Sequence, residues 1–323
     1  MKLPFSRKHV PLLSTAAVCA LLYVTGAVLY PRFASLEVFV NFFRNNAPLG
    51  IVAVGMTFVI LSGGIDLSVG SVVACSGILA AAMMEKGGVA PPLAVAAVLV
   101  AGTLFGLMMG CAIRYFGLPP FIVTLAGMFL ARGLGFMISL RSLTIRNAFY
   151  TAASEWSLEM GGASVPIAAL VLLAVLAAGV CVAAWTVFGR NVYAVGGNEE
   201  AALLMGVPVG RTKLAVYALS GLCAALAGVV ATLSKSSGDP RAAFGMELDA
   251  IAAVVIGGTL LTGGVGYVFG TLLGFLIFSI LDTGITFQGT LNSSWTRVAM
   301  GVLLLLFILL QKLLARPGLR QAN

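Results

Sequence analysis

Three ionisable side chains interrupt otherwise apolar stretches of this chain: Asp66, Arg132 and Asp282. A charge placed so in a bilayer costs about 2.5–3.5 kcal/mol on insertion scales, so such residues mark ion pairs, gates or solute pathways. Asp66 falls within residues 55–71, surrounded by Ser62, Gly63, Gly64 and Ser68. Paired glycines let the backbone turn or break where packing shields it from lipid. Asp66 is expected to cap the helix that follows, by accepting its first free N–H groups, or else to shape a gate. Arg132 lies about twelve residues into a helix opening at Pro120, near mid-bilayer at about 1.5 Å per residue. Asp282 stands at a comparable depth, and a fixed Arg132–Asp282 ion pair is expected ahead of direct contact with a solute. With Thr124 in the Arg132 helix, these eight residues are the candidates for a translocation path or its gate.

No reaction chemistry accompanies them. The chain has no Gly-Lys-Ser/Thr phosphate loop, no Gly-x-Ser-x-Gly, no His-Glu-x-x-His, and a single histidine, His9. Cys19, Cys75, Cys111, Cys181 and Cys223 sit inside apolar runs without a Cys-x-x-Cys pair, which argues against zinc, haem and a disulfide framework. Catalysis by this chain is not expected, and neither is a bound metal or cofactor. Any energy must come from a partner.

The elements that position these residues follow from composition. Over 323 residues, 60% are apolar and 9% charged, with a mean hydropathy of +1.07. A soluble domain carries about 25% charged residues. The fold class is therefore all-α, a polytopic helical bundle in a lipid bilayer. The net charge of +8 gathers at the two ends and in one central loop. That pattern suits lipid headgroups and topology control, not nucleic acid.

Apolar windows close to the span length of about 20 residues fall at 11–30, 48–62, 67–84, 91–113, 120–140, 165–188, 212–233, 248–261, 267–287 and 295–314. The second and eighth are short, so the count runs from eight to ten, with ten expected. The first window lacks a small-x-small cleavage site and reads as an uncleaved helix. With the N-terminus in the cytoplasm, ten spans return the C-terminus there too. Residues 61–65, Leu-Ser-Gly-Gly-Ile, echo residues 261–265, Leu-Thr-Gly-Gly-Val, at an offset of 200. Interrupted hydrophobic segments at matching places in two halves point to a transporter's solute pathway. A chance match of glycine-rich apolar sequence is the equal alternative.

The loop at about 189–211 is the one predicted cytoplasmic stretch long enough for a short helix. Asn198 is a good N-cap, Glu199 and Glu200 suit the positive helix end, and Gly206 with Pro208 closes the segment. Ala201, Leu204 and Met205 share one apolar face that so short a helix cannot bury alone. It is expected to dock into another protein.

These residues carry a family resemblance. Glu200, Ala201 and Ala202 followed by Gly206 resemble the EAA-x-x-x-G loop by which ABC importer permeases engage their ATPases. Residues 55–71, 120–133 and 249–266 resemble the other blocks of the ribose/monosaccharide permease family, and the similarity runs from about residue 10 to 315. The resemblance implies one permease domain over residues 1–323 in a bacterial inner membrane. It implies a second permease subunit, an ABC ATPase subunit that uses ATP and Mg, and a periplasmic sugar-binding protein. Within the family it is nearest to a permease subunit of a galactofuranose importer, with ribose or another simple sugar next. An ion-coupled secondary transporter of a small polar solute is the alternative.

Overall fold

The computed structural model describes residues 10–160, 162–289 and 294–315. Its elements in chain order are α1 (Val10–Leu29), α2 (Leu36–Leu61), α3 (Val69–Glu85), α4 (Pro91–Tyr115), α5 (Pro120–Ile138), β1 (Leu143–Thr144), α6 (Ala148–Glu155), β2 (Ser157–Met160) and β3 (Ala163–Pro166). There follow α7 (Ile167–Trp185), α8 (Val187–Gly197), α9 (Glu199–Leu204), α10 (Val209–Lys235), β4 (Ser237–Gly238), α11 (Met246–Ile256), α12 (Val268–Gln288) and α13 (Ser294–Ala315). The molecule is a helical membrane bundle, as the composition requires.

Each of the ten apolar windows lands on a helix, but lengths differ. Seven helices are long and apolar enough to cross a membrane: α1, α2, α4, α5, α7, α10 and α12. Helix α3 has 17 residues and α11 only 11. At about 1.5 Å per residue α11 covers about half the roughly 30 Å hydrocarbon layer. The window at 48–62 misses the first twelve residues of its helix. Helix α2 begins at Leu36, where Ser35 caps it by accepting from the Val38 N–H at 3.3 Å, and it runs on through Pro48.

Helices α2 and α10 form the centre. Helix α10 packs on α2, α3 and α4, while α11 and α12 close on α2 from the other side. The contact of α10 with α4 is made by small residues. A Cβ at Gly106 would strike the Tyr217 carbonyl, and one at Gly221 the Gly102 carbonyl. Backbones approaching this closely gain dispersion and weak backbone contacts that branched side chains would forbid. Helix α5 is fully buried only along one narrow stripe, Thr124, Gly127, Ala131 and Gly135, and is otherwise half-buried or exposed.

The strands lie outside any sequence expectation. At the end of the bundle opposite α9, β2 pairs with β3 as a hairpin, and β1 pairs with β4. The second pairing joins the connection after α5 to the segment after α10. Nearby, Tyr150 of α6 is buried and its hydroxyl shares a 2.6 Å hydrogen bond with Thr232. Burial pushes its phenol pKa up, so it stays neutral.

Candidate functional site

The candidate site begins with α9. Asn198 Oδ1 accepts from the Ala201 N–H at 2.9 Å, and Glu199 and Glu200 occupy the first turn. Gly206 ends the helix at φ +82°, with the Val207 N–H on the Ala202 carbonyl and the Gly206 N–H on the Leu203 carbonyl, both at 3.0 Å. This double closure needs a left-handed residue, which glycine adopts without a Cβ penalty. A Cβ at Gly206 would meet nothing within 4 Å, so conformation alone accounts for the glycine. Ala202 is buried with Val195 and Val209 and roots the helix, whereas Leu203, Leu204 and Met205 stand exposed, Leu204 at 89%. Glu199 is tied to Lys213 of α10 at 2.6 Å, which fixes α9 to the start of that helix.

Next to α9, three glycine pairs from distant parts of the chain meet. Gly196 and Gly197 end α8; Gly63 and Gly64 follow α2; Gly263 and Gly264 follow α11. The Gly264 N–H donates to the Leu61 carbonyl at 2.9 Å. A Cβ on Gly196 would overlap that carbonyl oxygen and lie 2.7 Å from the Gly264 nitrogen. A Cβ on Gly263 would lie 2.8 Å from the Gly63 nitrogen and 3.0 Å from the Gly196 oxygen. At Gly196, Gly263 and Gly264 no side chain fits between these backbones. Tyr193 of α8 adds a hydroxyl bond to the Gly266 carbonyl at 2.9 Å. Burial raises its phenol pKa, which keeps it a donor.

The echoed segments thus face one another. Helices α2 and α11 both run into this junction, and α3 and α12 both leave it, so the two echoed segments run in the same direction. Thr57 of α2 and Thr271 of α12 bridge the halves at 2.7 Å. Gly196–Gly197, Tyr193 and Lys213 had no role from the sequence. The only signal was a third Gly-Gly pair in a loop already singled out.

Ser62, Gly63, Gly64, Asp66, Ser68 and Thr124 come together. Asp66 is fully buried and accepts three hydrogen bonds: from the Ser68 N–H at 2.9 Å, the Ser68 hydroxyl at 2.6 Å and the Ser220 hydroxyl of α10 at 2.7 Å. The capping expectation is corrected in detail. Ser68 is the residue at the N-cap of α3 and makes no side-chain cap bond, while Asp66 turns the two residues before it and ties them to α10. The Thr124 hydroxyl bonds the Pro120 carbonyl at 2.9 Å and reaches the Ile65 carbonyl at 3.3 Å. A cavity of about 230 Å³ opens here, lined by Ser62–Gly64, Gly196, Lys213 and Tyr217. The Tyr217 hydroxyl is buried without a hydrogen-bond partner among the described residues.

Arg132 and Asp282 do not pair. Arg132 Nη1 donates to the Pro240 and Ala242 carbonyls at 2.9 and 2.8 Å, and its guanidinium lies 5.9 Å from the centre of the Phe244 ring. Asp282 instead accepts from Thr296 of α13 at 3.3 Å. Carbonyls in the irregular segment between β4 and α11 lack helical donors, and the guanidinium supplies them where water does not. Lys213–Glu199 is the one ion pair among the described residues.

The comparisons with known proteins decide the family. Residues 38–309 match the family described as branched-chain amino acid transport system / permease component. The chain belongs to this family of ABC-transporter permeases. It is 47% identical over 308 residues to the inner membrane ABC transporter permease protein YjfF of Escherichia coli, covering 95% of this chain and 93% of that protein. It is 38% identical to the fructose import permease protein FruG of Bifidobacterium longum, over 97% of this chain and 93% of that one. It is 38% identical to the ribose import permease protein RbsC of Bacillus subtilis, over 90% of each. No solved structure matches the chain. As a member of this family it is a transport subunit, not a catalyst, and a multi-pass membrane protein.

Proposed function

We propose that this chain is the inner-membrane permease subunit of an ATP-driven importer, translocating a monosaccharide handed over by a periplasmic binding protein. Ten passes carry both ends and the α8–α9 loop to the cytoplasmic face. A separate ATPase, using ATP and Mg, grips the exposed Leu203–Met205 tip of α9. A second permease subunit, identical or homologous, completes the path. Galactofuranose is the leading sugar, with ribose or another simple sugar next. The names of the fructose and ribose import permeases support sugar import in general, and the ion-coupled alternative is not favoured by any of the relatives.

The glycine junction is the observation that carries the reading. Closure of an ATPase can move membrane helices only through a rigid contact with discrete arrangements. Here α9 is salt-bridged to α10, α8 is wedged against the ends of α2 and α11, and Asp66 ties the α2–α3 return to α10. A push on α9 therefore reaches both halves through backbone contacts that leave no slack. The test is uptake of radiolabelled sugars by proteoliposomes holding the permease, ATPase and binding protein, with ion gradients collapsed. Uptake that requires ATP and the binding protein is expected, and uptake driven by an ion gradient without ATP overturns the reading.

A further inference from the structure

A second cavity, apolar over most of its wall, lies away from the glycine junction, between α2, α10 and α11. It holds about 170 Å³. Asn45, Asn46, Ser234, Lys235 and Asp249 line it, and Phe278 of α12 is among the apolar residues of its wall. Asn46 lies about 22 Å along α2 from the Leu61 junction, and the start of α11 about 15 Å from that helix's inner end, at 1.5 Å per residue. The cavity thus sits at the depth where α11 begins, half-way into the bundle, and reaches up to Lys235 at the opposite end.

Two features mark this as a built site. First, no hydrogen bond or ion pair to another described residue occupies the Asn45 and Asn46 amides or the Lys235 ammonium, while the Asp249 carboxylate stands between this cavity and the neighbouring one, where it feels the charge of Arg297. Pro48 adds to them, since it has no N–H to give the Arg44 carbonyl one turn back. Secondly, the wall is fixed. The segment carrying Ala242 and Ala243 is held by Arg132 from α5 and by Arg297 of α13, whose Nη2 bonds the Phe244 carbonyl at 2.8 Å. Ala243 has φ +55°, a conformation that a non-glycine residue keeps only where its surroundings impose it.

We propose that this cavity is a monosaccharide subsite on the outer half of the translocation path. The proposal rests on the reading of the chain as a sugar permease. Amides both donate and accept, the carboxylate accepts, the ammonium donates, and Phe278 offers an apolar surface to the C–H groups of a sugar ring. That set suits a neutral polyol with hydroxyls on its rim. It suits an inorganic anion poorly, because Asp249 faces the same space as Lys235. A cavity of this size has room for one sugar ring. The absence of a closed cage fits transport, where a bound solute must leave again.

The experiment compares Asn46→Leu, Asn45→Leu and Asp249→Asn with the unaltered permease, each with ATPase and binding protein in proteoliposomes. Ribose, fructose and galactofuranose serve as probes. The subsite predicts at least a tenfold loss of uptake for Asn46→Leu and a threefold or greater change in the ratio between two of the sugars for Asp249→Asn. ATPase co-purification and basal ATP hydrolysis should stay at the unaltered level. Asn45 is exposed on the cavity rim, so Asn45→Leu reports on the site if Asn46→Leu does not accumulate. Unchanged uptake and unchanged sugar ratios in the variants that assemble overturn the subsite and leave the permease reading standing. Failure of the unaltered complex to take up any of the three sugars with ATP overturns the permease reading, and the subsite with it.

Discussion

The two glycine-broken loops at the junction share a sequence pattern and are held in opposite ways. The loop between α2 and α3 is organised by one buried carboxylate, and Asp66 draws Ser68 and Ser220 to itself. The loop between α11 and α12 has no acid. It closes on its own backbone, Leu260 N–H to the Val265 carbonyl at 2.9 Å and Gly263 N–H to the Leu260 carbonyl at 3.0 Å, and its Thr259 hydroxyl is buried without a partner among the described residues. The first loop is therefore slaved to α10, whereas the second is a self-contained turn registered on the first through the Gly264–Leu61 bond. Movement of α10 must pull the first loop directly and the second only indirectly, through the glycine contacts and the Tyr193–Gly266 bond from α8.

The most severe way to break this arrangement is Gly196→Ala. The added carbon collides with the Leu61 carbonyl, backbone that cannot swing aside, and overpacking of this kind costs about 3 kcal/mol. Transport should fall by about a hundredfold at equal membrane abundance, on the scale of about 1.4 kcal/mol per tenfold. Normal uptake in this variant would remove the junction from the transmission path.

Next comes the direct test of the difference between the loops. Asp66→Ala strands the Ser68 N–H and the Ser220 hydroxyl and should lower stability by about 2 kcal/mol, read as a fall in unfolding temperature in detergent. Thr259→Val in the other loop removes a hydroxyl that bonds nothing and should change stability by less than about 0.5 kcal/mol. Equal losses in the two variants would show that the loops are not held differently.

A smaller effect is expected outside the junction. Gly206→Leu forces a left-handed conformation on a branched side chain at about 1 kcal/mol, with open space around it. Insertion should be normal, while ATPase co-purification and uptake decline together. Smallest of all is the coupling between Arg132 and Asp282. A double-mutant cycle with alanine at each should give an interaction energy below about 0.5 kcal/mol, because the two share no partner. A larger value would place them in one network after all.

Membrane class, helix positions and the α9 caps were legible because they depend on local pattern. Hydrocarbon solvent demands long apolar runs, and the Asn198 and Gly206 signals act within a single helix turn. The internal echo told that two segments resemble each other, since repeated Gly-Gly pairs survive in linear order. Partners across the fold were not legible. Arg132 met the carbonyls of 240–242 instead of Asp282 because depth along a helix fixes level but not azimuth, and an irregular segment hides its unpaired carbonyls from any sequence pattern. The length of α11 was blurred by apolar residues that continue through its loop to Leu261. By itself the sequence determined a helical membrane bundle with glycine breaks at matching places and a capped loop helix, because burial periods, caps and breaks are written residue by residue. Only the tertiary structure decided that three glycine pairs, from positions 63, 196 and 263, occupy one point. Backbone-to-backbone contact has no side chain to announce it, and it exists only once the helices that carry those glycines have packed.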